Sequence, residues 1–224
     1  MEKKNYGHQP VLLEECLAAL DIKPGGTYLD GTLGRGGHSL AILRRMDTGR
    51  LIGIDRDRTA IEEAGERLAA FGERVRLVHG NFRDLGDILR DLGAGGLDGM
   101  LFDLGVSSPQ LDEPRRGFSY MHDAPLDMRM DAAAALDAKQ VVNQWSYEEL
   151  RRVLYEYGEE RYAPQIARAI VRRREERCVE TTGELVELIR SAMPAQALRE
   201  KQHPAKRSFQ AIRIDVNGEL EALP

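Results

Sequence analysis

Apolar positions in the first hundred residues alternate between two periods. Val11 to Leu20 carries them at helical spacing and stops before Pro24. Thr27–Asp30 is short and β-compatible, and a glycine-rich turn follows it. Ser39 to Met46 returns to helical spacing. Arg50–Asp55 (R-L-I-G-I-D) is a nearly continuous apolar run, the mark of a strand buried on both faces. Thr59–Phe71 predicts a helix, Val75–His79 a strand and Asp84–Leu92 a helix. Leu97–Leu104 (L-D-G-M-L-F-D-L) predicts a fourth buried strand. Strand–helix alternation with short connections predicts an α/β fold with a parallel sheet covered on both faces.

The rhythm then breaks. Gly105 to about Asp131 has neither period and is rich in Gly, Pro, Ser and Asp. Yet it carries Phe118, Tyr120, Met121, Met128 and Met130. A long aperiodic stretch with bulky apolar residues predicts an ordered loop that packs on something, a lid or a binding loop. Three helices follow. Ser146 with Glu149 forms a capping box ahead of Leu150, Val153, Leu154 and Tyr157. Pro164 to Arg174 places Ile166 and Ile170 on one face. Thr181 with Glu184 caps a third helix running through Met193. This block reads as a helical insertion. From His203 a loop and a long helix resume, and no further strand follows.

Composition changes the picture little. The chain has 224 residues, 42% of them hydrophobic and 31% charged, which is enough apolar material for a sizeable core. No apolar run reaches the length of a membrane span. The first six residues lack the pattern of a secretory signal. Two cysteines, Cys16 and Cys178, make a disulfide framework unexpected and a reducing cytoplasm the expected location. The net charge of −5 does not favour nucleic acid in bulk. Any such contact has to come from local basic patches. Two exist: Arg161 to Arg177 holds six arginines against Glu175 and Glu176, and Arg199 to Arg213 holds five basic residues against Glu200. Arginine suits phosphate forks and stacking on unpaired bases. A solvated helix face is the plain alternative.

Candidate chemistry gathers at the ends of the predicted strands. Asp30-Gly-Thr-Leu-Gly-Arg-Gly-Gly-His-Ser joins a strand ending in a carboxylate to a helix through a glycine-rich turn. Its glycines run G-x-G-G rather than the G-x-G-x-x-G of dinucleotide binders. Asp55 ends the second strand, where a carboxylate can accept both hydroxyls of a ribose. Asn81 and Phe82 follow the third strand, where an aromatic ring can stack on a purine. Asp103 ends the fourth. Ligands of open parallel sheets bind at the carboxyl ends of the strands. The set suits an adenosine with a non-phosphate appendage, and S-adenosylmethionine fits that description. Taken singly, Asp30 and Asp55 are also ordinary strand-end turn residues, Asp57 reads as a helix N-cap, and His38 reads as orienting the glycine loop. The histidines and cysteines show no metal-ligand spacing. Ser107 and Ser108 lack a nucleophile-elbow pattern.

These motifs, extended over the whole chain, resemble the bacterial 16S ribosomal RNA cytosine-N4 methyltransferases of the MraW type. The blocks that carry the resemblance begin with His8-Gln-Pro-Val-Leu-Leu-Glu-Glu, the glycine turn and Gly53-Ile-Asp-Arg-Asp. Next come Asp103-Leu-Gly-Val-Ser-Ser-Pro-Gln-Leu-Asp, Arg116-Gly-Phe-Ser-Tyr and Pro125-Leu-Asp-Met-Arg-Met-Asp. Tyr157-Gly-Glu-Glu and His203-Pro-Ala-Lys-Arg-Ser-Phe-Gln-Ala-Ile-Arg-Ile complete the set. Lys206, Ser208 and Ala124 depart mildly from the family pattern.

The resemblance implies a class I S-adenosylmethionine-dependent fold with an all-helical insertion. Residues 1–108 form the first part of the core, residues 109–202 a loop and RNA-recognition insertion, and residues 203–224 a helix returning to the core. Family members continue with further strands, so the resemblance implies a sheet whose last strands are missing from this chain. Strand Leu97–Leu104 is then left at an exposed edge. It implies methyl transfer to N4 of a cytosine in the decoding region of 16S ribosomal RNA in the small subunit. The implied cofactor residues are Gly36, Gly37, His38, Asp55, Phe82, Asp103 and Gln110. Asp103 is also the candidate proton acceptor, because the cytosine amino nitrogen is a poor nucleophile and must shed a proton. The target base must be unpaired or flipped, and Phe118 or Tyr120 is a candidate to stack on it. Two other readings stay open: a non-catalytic cofactor- or RNA-binding module, and a nicotinamide-dependent oxidoreductase.

Overall fold

The computed structural model describes residues 10–222. The expectation about a secretory signal and the first two residues of the His8 block lie outside that range. Among the described residues the fold divides after Gly105 into two compact units.

The first unit is an α/β layer. It contains α1 (Leu13–Ala19), β1 (Thr27–Asp30), α2 (Gly37–Arg45), β2 (Arg50–Asp55), α3 (Arg58–Leu68), β3 (Val75–His79), α4 (Leu85–Asp91) and β4 (Gly99–Leu101). All strand pairs are parallel, in the order β3-β2-β1-β4. Alternate strand residues point to opposite faces. Tyr28 and Leu51 join Leu17, Ile42, Leu43 and Leu68 in one core on the α1–α3 side. Leu29, Ile52 and Ile54 face the other way, against Leu85, Ile88 and Leu89 of α4. The expected parallel sheet with helices on both faces is therefore present. β4 is shorter than Leu97–Leu104 because only Gly99–Leu101 pairs, and only with β1. It forms one edge of the sheet among the described residues. Leu101 is buried there while Met100 and Phe102 are partly exposed.

The second unit is helical. It contains α5 (Ser108–Asp112), α6 (Ala138–Gln144), α7 (Tyr147–Glu156), α8 (Ala163–Glu176), α9 (Thr182–Ala192) and α10 (Lys206–Asn217). The Ser146–Glu149 capping box forms, and Thr181 caps α9 through the N–H of Glu184. The aperiodic stretch is ordered, and most of its bulky apolar residues are buried, while Met121 stays exposed. Phe118, Leu126, Met128 and Met130 lie in the core that α6–α10 share. Side chains so fully enclosed cannot close over a ligand, and Phe118 cannot stack on a base. Arg116 braces the stretch by donating to the carbonyls of Arg129 and Met130.

α10 packs within the helical unit. Phe209, Ala211, Ile212 and Val216 of α10 are buried in the helical core. Asn217 secures the helix there. Its amide donates to the Met128 carbonyl and its Oδ1 accepts the N–H of Met130, both at 2.8 Å. The helical unit thus starts at Val106 and includes α10.

Candidate functional site

The carboxyl ends of β1, β2 and β4, with the turn after β3, bring six of the seven expected site residues into the first unit. The turn after β1 is fixed from three sides. Ser39 of α2 donates to Oδ2 of Asp30 at 2.7 Å, and the N–H of Thr32 reaches Oδ1 at 3.3 Å. Burial pushes the Asp30 carboxyl up to about 6, against the opposing pull of Ser39. Asp30 is thus a buried tie between strand and helix. Arg35, inside the turn, pairs with Glu63 of α3 at 2.5 Å, and Arg67 donates to the Arg35 carbonyl.

Two glycines of the turn need their lack of a side chain. Gly34 and Gly36 have φ of 49° and 70°, in the left-handed region. Gly34 also faces open space, its nearest non-neighbouring atom being 4.0 Å from where a Cβ would stand. A ligand can therefore approach its backbone. Gly37 is tight for another reason, since a Cβ would meet Pro10 at 2.6 Å.

Asp55 is held in place by backbone. Oδ2 accepts the N–H of Gly34 and Oδ1 the N–H of Asp57, each at 2.8 Å. Burial raises its pKa, and these two bonds oppose the rise. Each oxygen keeps a further lone pair, so the oriented carboxylate can accept two more hydrogen bonds. Asp57 caps α3 through the N–H of Thr59, as its sequence position suggested.

His38 is buried in the first turn of α2, and its Nε2 pairs with the Val11 carbonyl at 3.1 Å. It ties the segment ahead of α1 to the glycine turn. Phe82 opens a short 3₁₀ turn capped by Asn81. Its ring meets Phe102 edge-on, with centroids 5.4 Å apart. Asp103 is exposed, and its N–H donates to Thr32 Oγ1 at 2.6 Å. Gln110 lies in the second unit, on α5. It is buried, and its Oε1 accepts the N–H of Ser107 at 3.0 Å.

Phe102 and Thr32 are the residues that sequence reasoning passed over. Phe102 sits so close to Gly31 that a Cβ there would be 2.2 Å from the ring. Thr32 joins the β1 turn to Asp103, two residues after β4. Their adjacency to Asp103 and Asp30 was the available signal. No group of three or more His, Cys, Asp or Glu among the described residues is arranged to hold a metal ion.

Residues 5–224 match the sequence pattern of the MraW methylase family. The chain belongs to the MraW methylase family. Relatives named "Ribosomal RNA small subunit methyltransferase H" are similar to it along nearly all of its length. The one from Symbiobacterium thermophilum is 58% identical over 97% of this chain and 69% of the relative. The one from Brevibacillus brevis is 54% identical over 99% of this chain and 71% of the relative. Among solved structures, a protein-L-isoaspartate O-methyltransferase is 18% identical. It covers 47% of this chain and 33% of its own, with a TM-score of 0.36. S-adenosylmethionine is the methyl donor of the MraW methylase family. The strand ends fit it, with an open glycine backbone, an oriented carboxylate with spare acceptor capacity, and an aromatic pair.

Proposed function

We propose that this chain methylates N4 of a cytosine in the decoding region of small-subunit ribosomal RNA. The observation that carries the reading is the fixed Asp55 carboxylate beside the open glycine turn, in a chain of a methylase family. The relatives named for small-subunit ribosomal RNA methylation support the substrate.

S-adenosylmethionine, when bound, supplies an electrophilic sulfonium methyl. Asp55 accepts the ribose hydroxyls with the lone pairs that Gly34 and Asp57 leave open. The turn from Gly34 to Gly37 gives its backbone to the ligand, His38 holds that turn in place, and Phe82 flanks the adenine. Gln110 is assigned to the same ligand through the family pattern. Asp103 accepts an N–H of the cytosine amino group and takes the proton that must leave. The amino lone pair is delocalised into the ring, so positioning and proton acceptance are what the protein has to supply. Thr32 fixes the backbone of Asp103 and so directs the carboxylate.

α8 supplies the RNA surface. Arg168 and Arg172 lie along it, and Arg173 donates to the Arg177 carbonyl at its end. Arg174 has a structural duty, donating to the Val142 carbonyl at 3.0 Å.

Calorimetry separates the readings. S-adenosylmethionine should bind with one-site stoichiometry and a nicotinamide dinucleotide should not. Nicotinamide binding without S-adenosylmethionine binding would establish an oxidoreductase instead.

A further inference from the structure

The strand order changes direction between β1 and β4, and ligands of open parallel sheets bind in the crevice that such a reversal leaves at the carboxyl ends. Phe102 stands at that crevice, directly after β4. Its backbone is fixed on both sides. The N–H of Gly31 donates to the Leu101 carbonyl at 2.9 Å, and the N–H of Asp103 donates to Thr32 Oγ1 at 2.6 Å. The residues before and after Phe102 are thus both bonded to the turn after β1.

The side chain is fixed by contact. The three atoms nearest to where a Cβ on Gly31 would stand all belong to the Phe102 ring. The ring therefore lies across Gly31, in space that a side chain there would fill. It also meets Phe82 edge-on, with 5.4 Å between centroids and 66° between planes. One side chain so links the ends of β1 and β4 to the turn after β3.

The apolar core of the α4 face runs through Leu29, Ile52, Ile54 and Ile88. The two rings stand outside that cluster. Phe82 is half-buried and Phe102 is 39% exposed. An edge-to-face pair holds its rings at a defined angle, because the positive edge of one meets the negative face of the other. Asn81 steadies the Phe82 turn by accepting the N–H of Arg83 at 3.1 Å. The pair is thus oriented at a place that solvent, and so a ligand, still reaches.

We propose that Phe102 is a positioning residue for the methyl donor: seated on Gly31, it sets the angle of the Phe82 ring against which the adenine packs. The inference rests on the assignment of Phe82 to the adenine and extends it to a residue that acts through Phe82. It also gives Gly31 a reason, since the ring takes the space of its missing side chain.

Calorimetry of the full chain with S-adenosylmethionine tests the role. Phe102→Leu keeps an apolar side chain but offers no ring edge, and it should bind about fivefold more weakly, the worth of one aromatic pair. Phe102→Tyr keeps the ring and should bind as the parent does. Gly31→Ala pushes the same ring aside and should cost a similar factor. In a Phe102→Ala chain the change at Gly31 should cost nothing more.

A Phe82→Leu chain separates positioning from packing. There Phe102→Leu should have no further effect, since the ring that it orients is gone. A loss that persists at full size in Phe82→Leu makes Phe102 plain packing and overturns the proposal. So does a Phe102→Tyr as weak as Phe102→Leu. Unchanged or tighter binding by a folded Phe102→Leu overturns it too, being the result of a ring that blocks the crevice. Thermal melts show which variants are folded, and if Gly31→Ala is not, the Phe102 and Phe82 variants decide. Binding by the parent with independent losses in the variants keeps the methyl-donor site and removes Phe102 from it. A parent chain that does not bind S-adenosylmethionine removes both.

Discussion

The backbone N–H of Gly34 donates to Oδ2 of Asp55 at 2.8 Å, joining the turn after β1 to the end of β2. The bond orients the carboxylate and sets the glycine turn beside it. Asp55→Asn retains one acceptor and turns the other position into a donor. We expect it to weaken S-adenosylmethionine binding by about 1–3 kcal/mol, through the loss of charge-assisted hydrogen bonds. Calorimetry reads the change, with a thermal melt to show that the variant is folded. Unchanged affinity would remove Asp55 from the ribose.

Gly158 lies where α7 gives way to the turn that meets α10. A Cβ there would stand 2.6 Å from the Arg207 carbonyl and 2.9 Å from that of Leu154. Both are backbone atoms, so neither yields as a flexible side chain does. Gly158→Ala is expected to destabilise the helical unit by about 1–3 kcal/mol. Trp145 is the only tryptophan and lies in that unit. Urea unfolding followed by its fluorescence should show a lower midpoint at unchanged slope.

Asp215 of α10 gives the protein a pH dependence. Its Oδ2 is buried with no hydrogen-bond partner, and burial pushes the carboxyl from 3.8 up to about 6. Arg152 opposes that shift, while Glu221 and Glu149 add to it. The folded chain therefore holds a proton that the unfolded chain has already released. Stability falls as pH rises from about 4 to about 6, then levels off. Asp30 adds to the same slope, being raised to about 6 by burial. Asp215→Asn should raise the unfolding free energy by about 1–3 kcal/mol near pH 8. Below about pH 4 the difference should vanish, and between about pH 4 and 6 the variant should keep the slope due to Asp30.

The arginine face of α8 is expected to meet phosphate. Charge reversal of Arg172 and Arg173 should weaken RNA binding and lower its salt slope by about one for each phosphate no longer neutralised. Arg174 is left in place because it holds the Val142 carbonyl. S-adenosylmethionine affinity should not move. An unchanged salt slope would make this face plain solvated surface.

The sheet was legible because each strand carries its own signal. Arg50–Asp55 and Val75–His79 are runs of apolar residues bounded by turns, and they form as read. Leu97–Leu104 has the same composition, yet only three of its residues pair. Pairing depends on a neighbour, and a one-dimensional pattern does not show which neighbours a strand has. The same limit explains α10. Its apolar stripe shows that one face is buried, and Asn217 decides against what, by bonding to Met128 and Met130 far away in sequence. The positions of the glycine turn, Asp55, Phe82 and Asp103 at or just after strand ends were legible from the pattern. The roles of Thr32 and Phe102 were not, because they arise only where the ends of β1 and β4 meet.

The measurement closest to the central claim is methyl transfer itself. Small ribosomal subunits lacking the modification are incubated with the chain and methyl-labelled S-adenosylmethionine. The ribosomal RNA is then digested, and its nucleosides are resolved by mass spectrometry. The account predicts label in N4-methylcytidine from a decoding-region fragment, and its loss in Asp103→Ala with S-adenosylmethionine binding retained. Label on a ring carbon or on a ribose, or full transfer by Asp103→Ala, would contradict it.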